Sequence, residues 1–280
     1  LGEKKSEVGS ELGHGGVTVA ASGPGRRAGS IDPPSTVRQN GFELKIAPRQ
    51  PGLERGAWDR AHRGEPEDMV ELKGLFCALV TPFNDDQSLD EGGYRTLINH
   101  AIEDGIQGIV SAGCTGEPWS LSNDERGRLF KAAVDEAARR IPVVGGTAGV
   151  SAREAIERVR LAEAAGCDAI MVQPPWYALP GMEEVYEYYR DIIDATELPI
   201  MLYNVPRRTG LSLTVDVVSR LADDPQVVAL KESSKDWVLL SEMIRRCKDR
   251  MNILVGYADL FGLAAFAEGA VGTVEAVFPP

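Results

Sequence analysis

The sequence predicts an α/β protein of the (β/α)8 TIM-barrel class, on three observations. From Gly74 onward, short β-rich runs alternate with amphipathic helical segments. The apolar runs fall at 75–80, 109–112, 143–144, 169–172, 200–203, 227–230, 253–255 and 272–276, and eight is the number a closed barrel needs. A doubly wound nucleotide-binding sheet, the competing architecture, wants a G-x-G-x-x-G turn after its first strand. Here that strand runs into Thr81-Pro82-Phe83-Asn84 instead, and the nearest upstream Gly-x-Gly spacing, Gly23 and Gly25, follows no strand.

The segments between the runs carry helix signals. Ser88 with Glu91, Ser122 with Glu125 and Ser151 with Glu154 have capping-box spacing, which satisfies two of the free N–H groups at a helix start. The helix after Asn123 sets Leu129, Ala132, Ala133 and Val134 against Asp124, Glu125, Arg128 and Lys131. That is the stripe of a helix lying on a sheet.

Composition removes several function classes. The chain has 280 residues, 43% hydrophobic and 26% charged, with a net charge of −12. An acidic protein lacks the basic footprint that nucleic acid requires. No run of about eighteen apolar residues marks a membrane span. Cys77, Cys114, Cys167 and Cys247 are widely spaced and form no C-x-x-C pair, so neither structural zinc nor a disulfide framework is expected. A reducing, cytoplasmic setting follows.

The two ends read differently from the middle. Residues 20–34 are rich in Gly, Pro, Arg and Ser and offer almost nothing to bury, which predicts disorder. The first methionine is Met69, so 1–68 reads as a disordered extension outside the native protein and 69–280 as the barrel, with a genuine disordered tail as the alternative. After the eighth run come Pro279 and Pro280 and no helix, so the barrel is expected to stop short of its last helix and of any C-terminal helical region. An exposed apolar face should result.

Reactive groups in such a barrel sit at the C-terminal ends of the strands. Lys231 ends the run Val227-Val228-Ala229-Leu230 and should project into the mouth. Desolvation disfavours an ammonium and lowers its pKa, and a neutral amine attacks a ketone to give an iminium electron sink. By itself, a lysine at a strand end more often simply reaches for water. The neighbours change that weighing. Gly113-Cys114-Thr115-Gly116-Glu117 is a tight glycine-flanked turn whose N–H groups, with the Thr115 hydroxyl, suit a carboxylate. Tyr203 ends the preceding strand, placed to relay protons at the imine. Arg208 offers a fork for a second carboxylate.

These landmarks carry a resemblance. Residues 69–280 resemble the dihydrodipicolinate synthase / N-acetylneuraminate lyase family. The resemblance rests on Ala78-Leu79-Val80-Thr81-Pro82-Phe83, Gly113-Cys114-Thr115-Gly116-Glu117, Tyr203-Asn204-Val205-Pro206, Arg208-Thr209-Gly210 and Leu230-Lys231-Glu232, in that order and spacing. It implies a class I aldolase mechanism on pyruvate or a related 2-keto acid, with Lys231 as the Schiff-base lysine and Tyr203 as the proton-relay tyrosine. Cys114 and Tyr177 match relay positions, Tyr177 being similar to a tyrosine that reaches a neighbouring subunit's site. Thr115, Gly116 and Val274 match substrate-binding positions, and Arg208 matches the arginine that binds the aldehyde's carboxylate in the synthase branch. The implied partners are a keto acid, an aldehyde and further copies of the chain, as a dimer or tetramer. No metal or organic cofactor is implied, since the imine is itself the electron sink.

Departures bear on the finer reading. Cys114 stands where the synthases carry a hydroxyl, and a thiol is a weaker hydrogen-bond donor. Tyr257 follows Gly256 where an acid is usual, and Glu275 ends the eighth strand where a small residue is common. Asn123, Arg126, Val150 and Trp176 do not match the lysine feedback pocket, so feedback inhibition by lysine is not expected. The reading closest to the residues is 4-hydroxy-tetrahydrodipicolinate synthase chemistry, as in lysine biosynthesis. The alternatives are an aldolase or dehydratase for 2-keto-3-deoxy sugar acids or N-acetylneuraminate, and a keto-acid-binding relative without turnover.

Overall fold

The computed structural model describes residues 36–39, 42–45 and 70–276. The strands of the barrel are β1 (Gly74–Ala78), β2 (Gly108–Ser111), β3 (Val143–Gly146), β4 (Ala169–Val172), β5 (Ile200–Asn204), β6 (Val227–Glu232), β7 (Asn252–Val255) and β8 (Gly272–Glu275). They pair in parallel, each with its successor, and β8 closes on β1. The helices are α1 (Glu91–Glu103), α2 (Asn123–Ala137), α3 (Ala152–Ala165), α4 (Met182–Ile193), the single turn α5 (Pro206–Thr209), α6 (Val215–Leu221), α7 (Trp237–Cys247) and α8 (Ala258–Glu268). The predicted barrel is therefore the observed one.

Two apolar layers hold it. Phe76, Ala78, Val110, Val144, Met171, Met201, Ala229, Leu254 and Val274 fill the interior. Cys77, Ile109, Ile170, Leu202, Leu230 and Ile253 face outward and pack under the helices. Alternation along each strand separates the layers, while burial on both faces explains why the strands read as nearly continuous apolar runs. Closure has a local requirement: a Cβ at Gly272 would stand 2.3 Å from the Gly74 carbonyl oxygen, so the β8–β1 seam admits no side chain there.

The caps divide. Ser122 and Glu125 form the predicted box at the start of α2. Ser151 accepts from the Glu154 amide (3.3 Å), but the Glu154 carboxylate reaches the Val150 amide (2.7 Å) instead of closing the box. The Ser88 expectation is corrected. Asp90 caps α1 through the Gly93 amide (2.8 Å), and the Ser88 hydroxyl donates to Asp86 (2.6 Å), because the chain is still turning at Ser88. Helix α2 buries the predicted Leu129, Ala132 and Ala133, and also Arg126, which charge patterning does not single out.

Ahead of the barrel in the chain, Thr36–Gln39 and Phe42–Lys45 pair as an antiparallel ribbon. The stretch 20–34, Met69, Gly23 and Gly25 and the chain's final prolines lie outside the described residues. Helix α8 is apolar around most of its circumference, leaving Leu260, Leu263 and Phe266 exposed. Among the described residues no helix is long and apolar enough to cross a membrane.

Candidate active site

Alternation decides where the reactive side chains point. Ala229 and Met201 belong to the interior layer, so Lys231 and Tyr203, two residues further along β6 and β5, face the same way. The two strands pair with Tyr203 opposite Lys231 and Asn204 opposite Glu232. The lysine is 6% exposed and its Nζ lies 4.5 Å from the centre of the Tyr203 ring. Burial pulls its pKa down to about 8, partly opposed by Cys114, Glu275 and Cys77. Burial also pushes the Tyr203 phenol well above its ordinary value, helped by Cys114 and eased by Ser233.

Asn204 and Glu232 face outward from the barrel and fasten this pair. The Asn204 amide donates to Glu232 (2.9 Å), which also accepts from the Ser234 amide (2.9 Å), while Asn204 accepts from Leu213 (2.9 Å). Loss of water from the buried Glu232 carboxyl raises its pKa despite these bonds. The effect is to lock the exits of β5 and β6 to each other next to the reactive amine and phenol.

A cavity of about 440 Å³ opens over the lysine, lined among others by Cys114, Thr115, Arg208, Ser233, Tyr257 and Val274. Six predicted site residues therefore meet in one place: Lys231, Tyr203, Cys114, Thr115, Arg208 and Val274. A single helical turn, Cys114–Gly116, brings Thr115 there. Gly116 does not line the cavity. It is buried beneath, its amide donating to Gly113 (2.9 Å) and its carbonyl accepting from Thr81 (2.7 Å). It supports the turn and has no N–H left for a ligand. Tyr177 is also absent from the lining and is 92% exposed, with a left-handed φ of 74°.

Arg208 stands on α5, whose Pro206 starts the turn and whose Gly210, at φ 74°, ends it. It also borders a second cavity of about 400 Å³, shared with Cys114, Trp119, Arg158, Gln173 and Trp176. Burial pushes the Cys114 thiol up, against the pull of Arg208, Lys231 and the Tyr203 hydroxyl. Glu275, the acid at the end of β8, is engaged rather than loose: one oxygen accepts from the Ala258 amide and the Thr273 hydroxyl (both 2.8 Å). Arg126 is fully buried and donates to the carbonyls of Gly146 (3.1 Å) and Pro118 (2.6 Å), which ties the end of β3 to the loop before α2. Among the described residues no three His, Cys, Asp or Glu side chains converge as metal ligands.

Sequence reasoning missed Ser233. Its signal was available, since it lies two residues beyond Lys231 and so on the same face of the strand's end.

Comparison with known proteins agrees with this geometry. The model of the Dihydrodipicolinate synthetase family matches residues 71–278. A 4-hydroxy-tetrahydrodipicolinate synthase of Methanothrix thermoacetophila is 38% identical over 206 residues, covering 74% of this chain and 69% of that protein. The chloride-inhibited dihydrodipicolinate synthase of Acinetobacter baumannii, solved with pyruvate, superposes with a TM-score of 0.70 at 35% identity, over 73% of this chain and 70% of that one. CdNal from Clostridium difficile, solved with mannosamine, gives a TM-score of 0.70 at 29% identity, over 74% and 71%. A desolvated lysine facing a phenol in the mouth of a parallel barrel and a family match across nearly all of that barrel lead to one conclusion: the chain belongs to the dihydrodipicolinate synthetase family of Schiff-base lyases.

Proposed function

We propose that this chain joins pyruvate, or a related 2-keto acid, to an acidic aldehyde through an imine on Lys231. The observation that carries the reading is the lysine itself, an amine inside the barrel, 6% exposed and 4.5 Å from the Tyr203 ring centre. The keto acid's carboxylate is held by Thr115, beside Val274, and Tyr203 moves protons between the lysine nitrogen, the departing oxygen and the methyl carbon of the keto acid. Arg208 takes the carboxylate of the aldehyde with two parallel N–H donors. That arginine, with the similarity to the synthases, favours aspartate semialdehyde over a neutral sugar as the acceptor.

Tyr177, exposed and outside its own cavity, is proposed to reach the cavity of a second copy in a homo-oligomer. The cytoplasm is the proposed compartment, in keeping with four unpaired cysteines among the described residues, three of them buried.

The test is chemical. Pyruvate with sodium borohydride should leave a reduced adduct on the peptide containing Lys231, and aspartate semialdehyde should then be consumed in the presence of pyruvate. Adduct without turnover of aspartate semialdehyde, but with turnover of an amino sugar, would move the assignment to the sugar-acid aldolases. An adduct with no turnover of any aldehyde would leave a keto-acid-binding protein.

A further inference from the structure

We propose that Ser233 is a positioning residue for this reaction, its hydroxyl holding the Tyr203 oxygen through the proton transfers of imine formation. The inference rests on the reading that Lys231 forms an imine. Ser233 follows directly on β6 and lines the cavity over the lysine. It is 3% exposed, and its Oγ has no hydrogen-bond partner among the described residues. Native proteins rarely leave a buried hydroxyl unpaired, so one inside a reaction cavity is a donor without its acceptor.

Its backbone is pinned. The Ser233 amide donates to Asn204 (2.8 Å) and the Gly256 amide to Glu232 (2.8 Å). The room for the hydroxyl is specific too, because a Cβ at Gly256 would lie 1.8 Å from Ser233 Oγ. Cys114, Tyr257, Arg208 and Lys231 also face the phenol, and of these the Cys114 thiol is a weaker hydrogen-bond partner whose ionisation burial opposes. The serine hydroxyl lies close enough to Tyr203 to ease its proton loss, yet outside hydrogen-bond geometry, so the contact closes only when the phenol takes on charge.

The proton account shows where such a donor matters. As Lys231 Nζ bonds to the keto carbon, the keto oxygen takes the Tyr203 proton, and the nitrogen returns one to the phenolate. A second transfer from Tyr203 expels that oxygen as water and leaves an iminium facing a phenolate. The phenolate then removes a proton from the adjacent methyl carbon, giving the enamine and the phenol again. Tyr203 carries negative charge twice, and each time Ser233 can donate to it.

Deuterium exchange into the methyl group of pyruvate in D2O follows these steps and needs no aldehyde. Ser233→Ala should slow exchange about 10- to 100-fold, the usual effect of losing a hydrogen bond to a charged group. It should also raise the pH at which exchange reaches half its maximum, while the borohydride adduct on Lys231 still forms to completion. Gly256→Ala, which presses on the same hydroxyl, should reproduce the defect. Adding Cys114→Ser to Ser233→Ala should recover part of the rate by supplying a hydroxyl from the other side. Exchange by Ser233→Ala within twofold of the parent, with an unmoved pH profile, would overturn this inference alone. Failure of the parent protein to give any Lys231 adduct would overturn the imine reading and this one with it.

Discussion

If burial is what readies Lys231, the rate of imine formation must follow its depressed pKa. The amine titrates at about 8 in place of 10.5. At pH 7.5 an amine with the ordinary value is neutral in about one molecule in 1,000, whereas one at about 8 is neutral in about one in four, a gain of roughly 250-fold in nucleophile. Glu275 works against that gain, since its negative charge favours the ammonium. Glu275→Gln keeps an oxygen for the Ala258 amide and the Thr273 hydroxyl while removing the charge. The inflection should therefore fall below that of the parent, and the neutral fraction at pH 7.5 should rise above about one in four. The assay is stopped-flow or quenched borohydride trapping with limiting pyruvate between pH 6 and 10.5. An inflection at pH 10 or higher in the parent, or an upward move in Glu275→Gln, would refute the argument that desolvation prepares the amine.

Three further outcomes are expected. Lys231→Met should be more stable than the parent at pH 7 by up to about 3 kcal/mol, because the folded state holds a reluctant ammonium; the penalty is complete below the folded value of about 8 and vanishes above 10.5. Urea midpoints at pH 7 and 10.5 should accordingly show the gap between the two proteins closing as the pH rises. Arg208→Gln should raise the KM for an acidic aldehyde by about 10- to 100-fold, the loss of a charge-assisted pair, and leave borohydride trapping of pyruvate unchanged. Gly272→Ala should cost about 3 kcal/mol or more, visible in the same urea melts, because the new methyl meets the Gly74 backbone, which cannot swing aside as a side chain would.

The barrel was legible because parallel strands buried on both faces write themselves as apolar runs, and β4 coincides with the predicted 169–172. Other strands moved by one to two residues at their ends, where hydrogen bonding rather than composition decides. Helix α2 was legible from its stripe and its Ser122 cap. The Ser88 box was not, since Asp86, Ser88 and Asp90 all carry oxygens of capping type, and only the turn through Asn84 chooses among them.

At the site, residue type and place at or just beyond a strand end nominated Lys231, Tyr203, Thr115 and Arg208 together, though none of them singly. Alternation was enough to aim the first two inward. What sequence could not supply was the meeting of groups far apart in the chain: the 4.5 Å approach of Lys231 to the Tyr203 ring, the dry surroundings that lower its pKa, and the unpaired Ser233 hydroxyl beside Gly256. Nor could it show that the Gly116 amide is already spent or that Tyr177 is absent from the lining of its own cavity. Local pattern records how a segment folds and which way it faces. Desolvation and hydrogen-bond pairing arise only when eight strands have closed around a shared interior, and those two effects are what turn a strand-end lysine into a nucleophile.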